Sequence, residues 1–132
     1  MNGELAKLFQ VLDRLGSDAR ASGVRVDPQF AAERGAAAAG ASVTGLGAHD
    51  LRLGTLVRAT AEGVMRGLAE ALPEALRRER TELVGTGNAL RRLAVMRAAA
   101  ETVFGMPLAL LPFREAAAAG AAMLAARLAE PG

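Results

Sequence analysis

The stretch Glu82–Arg92, ELVGTGNALRR, decides how this chain is read. An apolar pair, Leu83-Val84, precedes two glycines one residue apart, and a helical pattern follows. This is the layout of a short strand that turns sharply into a helix. Glycine tolerates φ > 0 and lets a ligand approach the backbone. A helix starting near Asn88 would aim free N–H groups and the positive end of its dipole at the same spot. Two readings stay open on the motif alone: a phosphate or nucleotide lies against the turn, or the glycines serve a tight turn with no ligand.

Working outward, the run NALRRLAVMRAAAETVFG reads as one helix stopped by Gly105, and MPLALLP as the strand after it. REAAAAGAAMLAARLAE reads as a closing helix, in which Gly120 suggests close approach to a neighbour. Upstream, Leu5, Leu8, Phe9, Leu12 and Leu15 recur at the spacing of an amphipathic helix from Glu4 to about Arg20. VRVDP and ASVTGLG read as short strands, separated by a loop, FAAERGAAAAG. Asp50 lies in a plausible N-cap region for a helix from about Leu53 to Leu72, with Leu56, Val57, Thr60, Val64, Leu68 and Leu72 on one face. Gly63 and Gly67 sit in that helix at roughly 1 kcal/mol each against alanine, which suggests one face packed tightly on a neighbour. Pro73 ends it, and EALRRER supplies one or two further turns. From Ala41 onward the order is β, α, β, α, β, α, which argues for an α/β layered domain.

The chain has 132 residues, enough for one domain with one core, residues 1–132. With no Trp or Tyr and four Phe, that core must be aliphatic. The absence of Cys excludes disulfides, thiolate metal sites and a Cys nucleophile. His49 is the single histidine, so a multi-His metal site is excluded too, and a lone loop histidine is ordinarily solvated. The net charge is +2, and Lys7 is the one lysine. Arg77-Arg78 and Arg91-Arg92 are read as solvated helix faces, because no aromatic is interleaved for base stacking. No nucleic-acid partner is expected. No apolar run approaches about 18 residues, and the N-terminus lacks the pattern of a signal peptide, so neither a membrane span nor export is expected, and the cytoplasm is the default.

Catalytic groups are scarce. Asp13, Asp18, Asp27, Asp50, Glu33, Glu82 and Glu115 form no pair spaced for acid–base work. The glycine pattern lacks the third glycine of a dinucleotide fingerprint, since position 90 is Leu90, and no P-loop occurs. No catalytic residue and no metal ligand is assigned.

Taken in order, several stretches resemble the C-terminal part of FGGY-family carbohydrate kinases. VDPQFAAERGAAAAGASVTGL resembles that family's P-x-F-x-G-E-R-x-P segment and the strand after it. LGTLVRATAEGVMRGLAEAL resembles its long helix with L-x-R-A-x-x-E-G, and LVGTGNALRR…FGMPL its Gly-rich adenosine segment. REAAAAGAAMLAA resembles its closing helix. The likeness runs from about Val24 onward, and the form GTGNALRR looks most like the sedoheptulokinase-like branch.

The resemblance implies a partial actin-like ATPase (ribonuclease-H-like) domain, α/β, with short strands alternating with Ala-rich helices. It implies the ATP-binding half of an enzyme that moves the γ-phosphoryl of ATP, with Mg²⁺, to a sugar hydroxyl. By motif match, Gly85, Thr86, Gly87 and Asn88 would line the adenosine pocket, with Ala89 and Leu90 at its rim. The family's phosphate hairpin, sugar-binding domain and general-base aspartate have no counterpart here. The chain is therefore expected to be inactive alone, with an N-terminal kinase half on a separate chain as a candidate partner. Self-association through exposed sheet edges and Ala-rich faces is also expected. The alternative is a non-catalytic interaction module that retains the fold. Ala32 stands for the glycine of G-E-R, and Leu93-Ala94 stand where this branch usually has Asn-Pro.

Overall fold

The computed structural model describes residues 2–20, 22–29, 40–112 and 116–129. Its elements run α1 (Gly3–Asp18), β1 (Arg25–Asp27), β2 (Ser42–Thr44), α2 (Leu53–Ala71), α3 (Glu74–Arg77), β3 (Leu83–Gly85), α4 (Asn88–Arg92), α5 (Ala94–Phe104), β4 (Leu108–Leu110) and α6 (Ala116–Ala129). The mixed helix–strand character expected of an α/β chain is present. The strands make two small sheets rather than one: β1 pairs antiparallel with β2, Val26 opposite Val43, and β3 pairs parallel with β4, Val84 opposite Ala109. The loop expected around Glu33 and Arg34 lies outside the described residues, as does Glu115.

The core is built from small side chains. Ala61 and Met65 of α2 meet Val95, Ala99 and Ala100 of α5, with Val57, Leu83, Leu90, Leu93 and Leu108 packed around them. A second cluster joins Val24, Val26 and Ala59. Alanine and glycine at these positions let helix axes approach closely. Gly16 of α1 is buried where a Cβ would fall 2.7 Å from Val57 Cγ1 and 2.8 Å from Val95 Cγ2.

Two helix faces differ from the sequence expectation. On α1 the leucine stripe does not point into the core: Leu5, Leu8, Phe9 and Leu15 are exposed, Leu8 at 51% and Phe9 at 44%. Gly16 is the residue of α1 that is buried, so α1 packs by its smallest side chain. On α2 the buried residues are Ala59, Ala61, Gly63, Met65 and Ala69; of the expected face Leu56 and Val57 pack against the core, whereas Val64, Leu68 and Leu72 are exposed. Close backbone approach selected the small-residue face over the leucine face. Gly63 meets that expectation of tight packing, its Cβ position falling on the Val26 carbonyl of β1, but Gly67 does not, having no atom within 4 Å. Gly120 of α6 is likewise open, and Met123 and Leu124 near it are exposed, so this glycine marks no close approach.

Asp50 is not the N-cap of α2. Its Oδ2 accepts the Gly47 N–H at 3.0 Å and closes a turn, and Arg52 occupies the N-cap position with no side-chain cap. Pro73 follows the end of α2 as expected, and α3 is a single turn.

Candidate functional site: the Gly-Thr-Gly turn

The turn is anchored by the parallel pair β3–β4. Leu83 N–H donates to the Pro107 carbonyl at 2.9 Å, and Leu111 N–H donates to the Gly85 carbonyl at 3.0 Å. These bonds fix the last residue of β3, after which the chain must reverse its hydrogen-bonding habit to enter α4.

The two glycines have different causes. Gly85 is buried, and a Cβ there would lie 2.8 Å from both Leu90 Cδ1 and Leu108 Cδ1. Its small size lets those leucines close over the strand end, a packing role that needs no ligand. Gly87 has φ 109° and ψ 159°, a region that side-chain-bearing residues rarely adopt, and its Cβ position has no atom within 4 Å. The backbone there is strained for any other residue and is open to approach.

Of the remaining residues, Thr86, Asn88 and Ala89 are exposed, while Leu90 is half-buried and packs against the α2–α5 core. The turn thus offers backbone groups, a hydroxyl and a carboxamide to solvent. It has no carboxylate or imidazole within Gly85–Leu90, so it can hold a ligand but cannot move a proton. Among the described residues, no three of His, Cys, Asp or Glu cluster to hold a metal.

The helix after the turn is not continuous. α4 has five residues, Leu93 adopts an extended conformation with φ −111° and ψ 114°, and α5 begins anew at Ala94. The dipole behind Gly87 is therefore that of little more than one turn, not of the long helix read from the sequence. Arg91, expected to be a solvated cation, is half-buried and donates through Nη2 to the Leu111 carbonyl. Arg92 is exposed.

Sequence reasoning missed Arg97 and Asp13. Arg97 Nη1 donates to the carbonyls of Leu90 at 2.8 Å and Arg91 at 3.1 Å, and Asp13 Oδ1 of α1 accepts the Val95 N–H at 2.8 Å. No periodicity flags a contact such as that between Asp13 and Val95, which spans 82 residues. A separate cleft of about 530 Å³ opens between the C-terminal end of α1 and the start of α2, lined by residues including Asp18, Arg20, His49, Asp50 and Arg52. None of Gly85–Leu90 lines it. Among the described residues, no helix is long and apolar enough to cross a membrane.

Residues 2–129 match the model of the FGGY family of carbohydrate kinases, C-terminal domain. No curated protein matches the chain. The fold is similar to that of xylulose kinase from Rhodospirillum rubrum, with a TM-score of 0.64 and 24% identity over 82% of this chain and 24% of that one. It is also similar to a xyloylose kinase from Brucella ovis, with a TM-score of 0.61 and 25% identity over 83% of this chain and 25% of that one. The chain thus spans about a quarter of the length of the kinases it matches. Together with the strand–glycine–helix turn, this match over nearly every residue establishes that the chain belongs to the FGGY family of carbohydrate kinases, in the part corresponding to their C-terminal domain.

Proposed function

We propose that this chain is the ATP-binding part of a carbohydrate kinase, with Gly85, Thr86, Gly87 and Asn88 lining the adenosine pocket and Ala89 and Leu90 at its rim. The observation that supports it is Gly87: a backbone conformation reserved for glycine, with open space where a side chain would stand. Packing explains Gly85; at Gly87 the glycine-only backbone, open on the strand-to-helix turn, admits close approach of a planar ligand.

Phosphoryl transfer is positioning plus charge stabilisation, with a base for the acceptor hydroxyl and Mg²⁺ on the phosphates. When bound, ATP supplies the transferred phosphoryl group. The residues of the turn hold and orient its adenosine end. The exposed Thr86 hydroxyl and Asn88 carboxamide offer donors and acceptors to its polar edges, and the Gly87 backbone admits close contact. The base, the phosphate contacts and the sugar contacts come from an N-terminal kinase half, and without it the chain is inactive. The form of the run Gly85–Arg92, GTGNALRR, supports the sedoheptulokinase-like branch.

The test is a calorimetric titration of the folded chain with ADP and Mg²⁺, repeated with Gly87→Val. Saturable binding that is lost in the variant supports the reading. A folded wild-type chain that takes up no ADP overturns it and leaves Gly87 as a turn residue alone. The variant also loses about 1–3 kcal/mol of stability, because valine is forced into a glycine-only conformation, so its circular dichroism is recorded first.

A second reading, a non-catalytic interaction module, is favoured by the exposed Leu5, Leu8, Phe9 and Leu15 on α1. Such a face promotes self-association. Sedimentation of a clean monomer at high concentration, together with ADP binding, would dismiss this second reading.

A further inference from the structure

The break between α4 and α5 falls where there is no proline and no glycine. Helices are interrupted sharply at proline, at glycine or where a side chain inserts into the hydrogen-bond ladder. Residues 92–95 are Arg-Leu-Ala-Val, which contain neither breaker. Left to propensity, Asn88 to Phe104 would run as one helix, with alanine and leucine around the break favouring it.

A break leaves the last carbonyls of the first segment and the first amides of the second without helical partners. Here some of these groups are met by side chains, of Arg97 in α5 and of Asp13 in α1. The carbonyls of Leu90 and Arg91 accept from one guanidinium nitrogen of Arg97, at 2.8 and 3.1 Å. The amide of Val95, in the first turn of α5, donates to Asp13 at 2.8 Å, where the N-cap residue Leu93 has no side-chain cap to offer. Arg97 therefore acts as the C-terminal cap of α4, a task basic side chains perform at helix ends.

We propose that Arg97 is a positioning residue for the Gly85–Thr86–Gly87 turn: by capping the Leu90 and Arg91 carbonyls it holds α4 as a separate, redirected turn and so fixes where Gly87 and Asn88 face a nucleotide. α4 begins at Asn88 and is only five residues long, so what fixes its C-terminal end fixes its start. The Gly87 carbonyl accepts the Arg91 N–H at 3.1 Å, which couples the glycine directly to the capped residue. The nucleotide part of this inference rests on the function proposed above; the holding of the turn does not.

The experiment is amide hydrogen exchange of the full chain, wild type against Arg97→Met and Arg97→Lys, with ADP titrations of the same samples. Arg97→Met keeps the apolar stem and removes the cap. Arg97→Lys keeps the charge and a donor that reaches one carbonyl. Arg66→Met is the control, because it removes another guanidinium-to-carbonyl bond, to Val26 at 3.2 Å on β1, away from the turn. The expected result is exchange at least about tenfold faster over residues 87–93 in Arg97→Met, with α2 amides unchanged and partial recovery in Arg97→Lys. ADP affinity falls in the same order, while the Arg66→Met control keeps it.

Exchange in Arg97→Met that is unchanged at 87–93, or raised evenly across the chain, overturns the positioning role. Local loosening with unaltered ADP affinity overturns its nucleotide part. A wild-type chain that binds no ADP sinks the proposed function, while the exchange pattern still decides whether Arg97 holds the turn.

Discussion

The contact of α2 with β1 and the turn between β3 and α4 both depend on a glycine, for opposite reasons. At Gly63 the side chain is absent because another backbone occupies its place: the Val26 carbonyl sits where a Cβ would stand. At Gly87 nothing occupies the place, and the residue is glycine because φ is 109°. The first is a packing demand, satisfied within this chain. The second is a conformational demand at an open surface, and its satisfaction points outward. An open, positive-φ glycine is not by itself a ligand signal, since Gly105, with φ 66° and nothing within 4 Å, only stops α5; at Gly87 it is the position between β3 and α4 that distinguishes it.

The sharpest way to break this contrast is Gly63→Ala. The obstructing atom is a backbone carbonyl rather than a flexible side chain, so α2 and β1 must separate. The overpacking costs about 1–3 kcal/mol, against which better helix propensity returns at most about 1. Urea unfolding should show a clear net loss, and a stabilised variant would mean that α2 does not sit on β1 as described.

The next effect in size belongs to Asp13→Ala, expected to lose about 1–2 kcal/mol through the orphaned Val95 amide. Loss of the same size in Asp13→Asn would show that the charge at the start of α5 matters, and recovery in Asn that the hydrogen bond suffices. Unchanged unfolding of Asp13→Ala would show that this hydrogen bond does not anchor α1 to α5.

The smallest effect has the opposite sign. Gly67→Ala, one turn beyond Gly63 on the same helix, meets nothing within 4 Å and should stabilise by up to about 1 kcal/mol. Thermal unfolding of Gly63→Ala and Gly67→Ala side by side separates crowding from propensity within one helix. Equal shifts in both would erase the distinction.

Much of the element order was legible because periodicity and breakers are local. The stop of α5 at Gly105 with φ 66° and the end of α2 before Pro73 stand where the sequence puts them, whereas the strand expected over TELVGTG is only Leu83–Gly85. The burial of faces was not legible. Hydrophobicity favoured the leucine stripes of α1 and α2, but backbone proximity favoured glycine and alanine, and shape won over apolar area. The helix through Leu93 was misread because apolar periodicity carries no trace of the side-chain bonds at the break, from Arg97 nearby in α5 and from Asp13 on α1.

The sequence by itself determined the family, through the order of its glycine and helix motifs, and that a glycine-bearing turn joins a strand to a helix at Gly85–Gly87. It also determined that the core must be aliphatic, since no Trp or Tyr exists to fill it. Only the tertiary structure decided which glycine is crowded and which is open, where α4 ends, and which polar side chains meet the backbone groups at the break. Local propensity is a property of neighbouring residues along the chain. A cap delivered across 82 residues, or a carbonyl lying where a Cβ would be, exists only once the chain has folded.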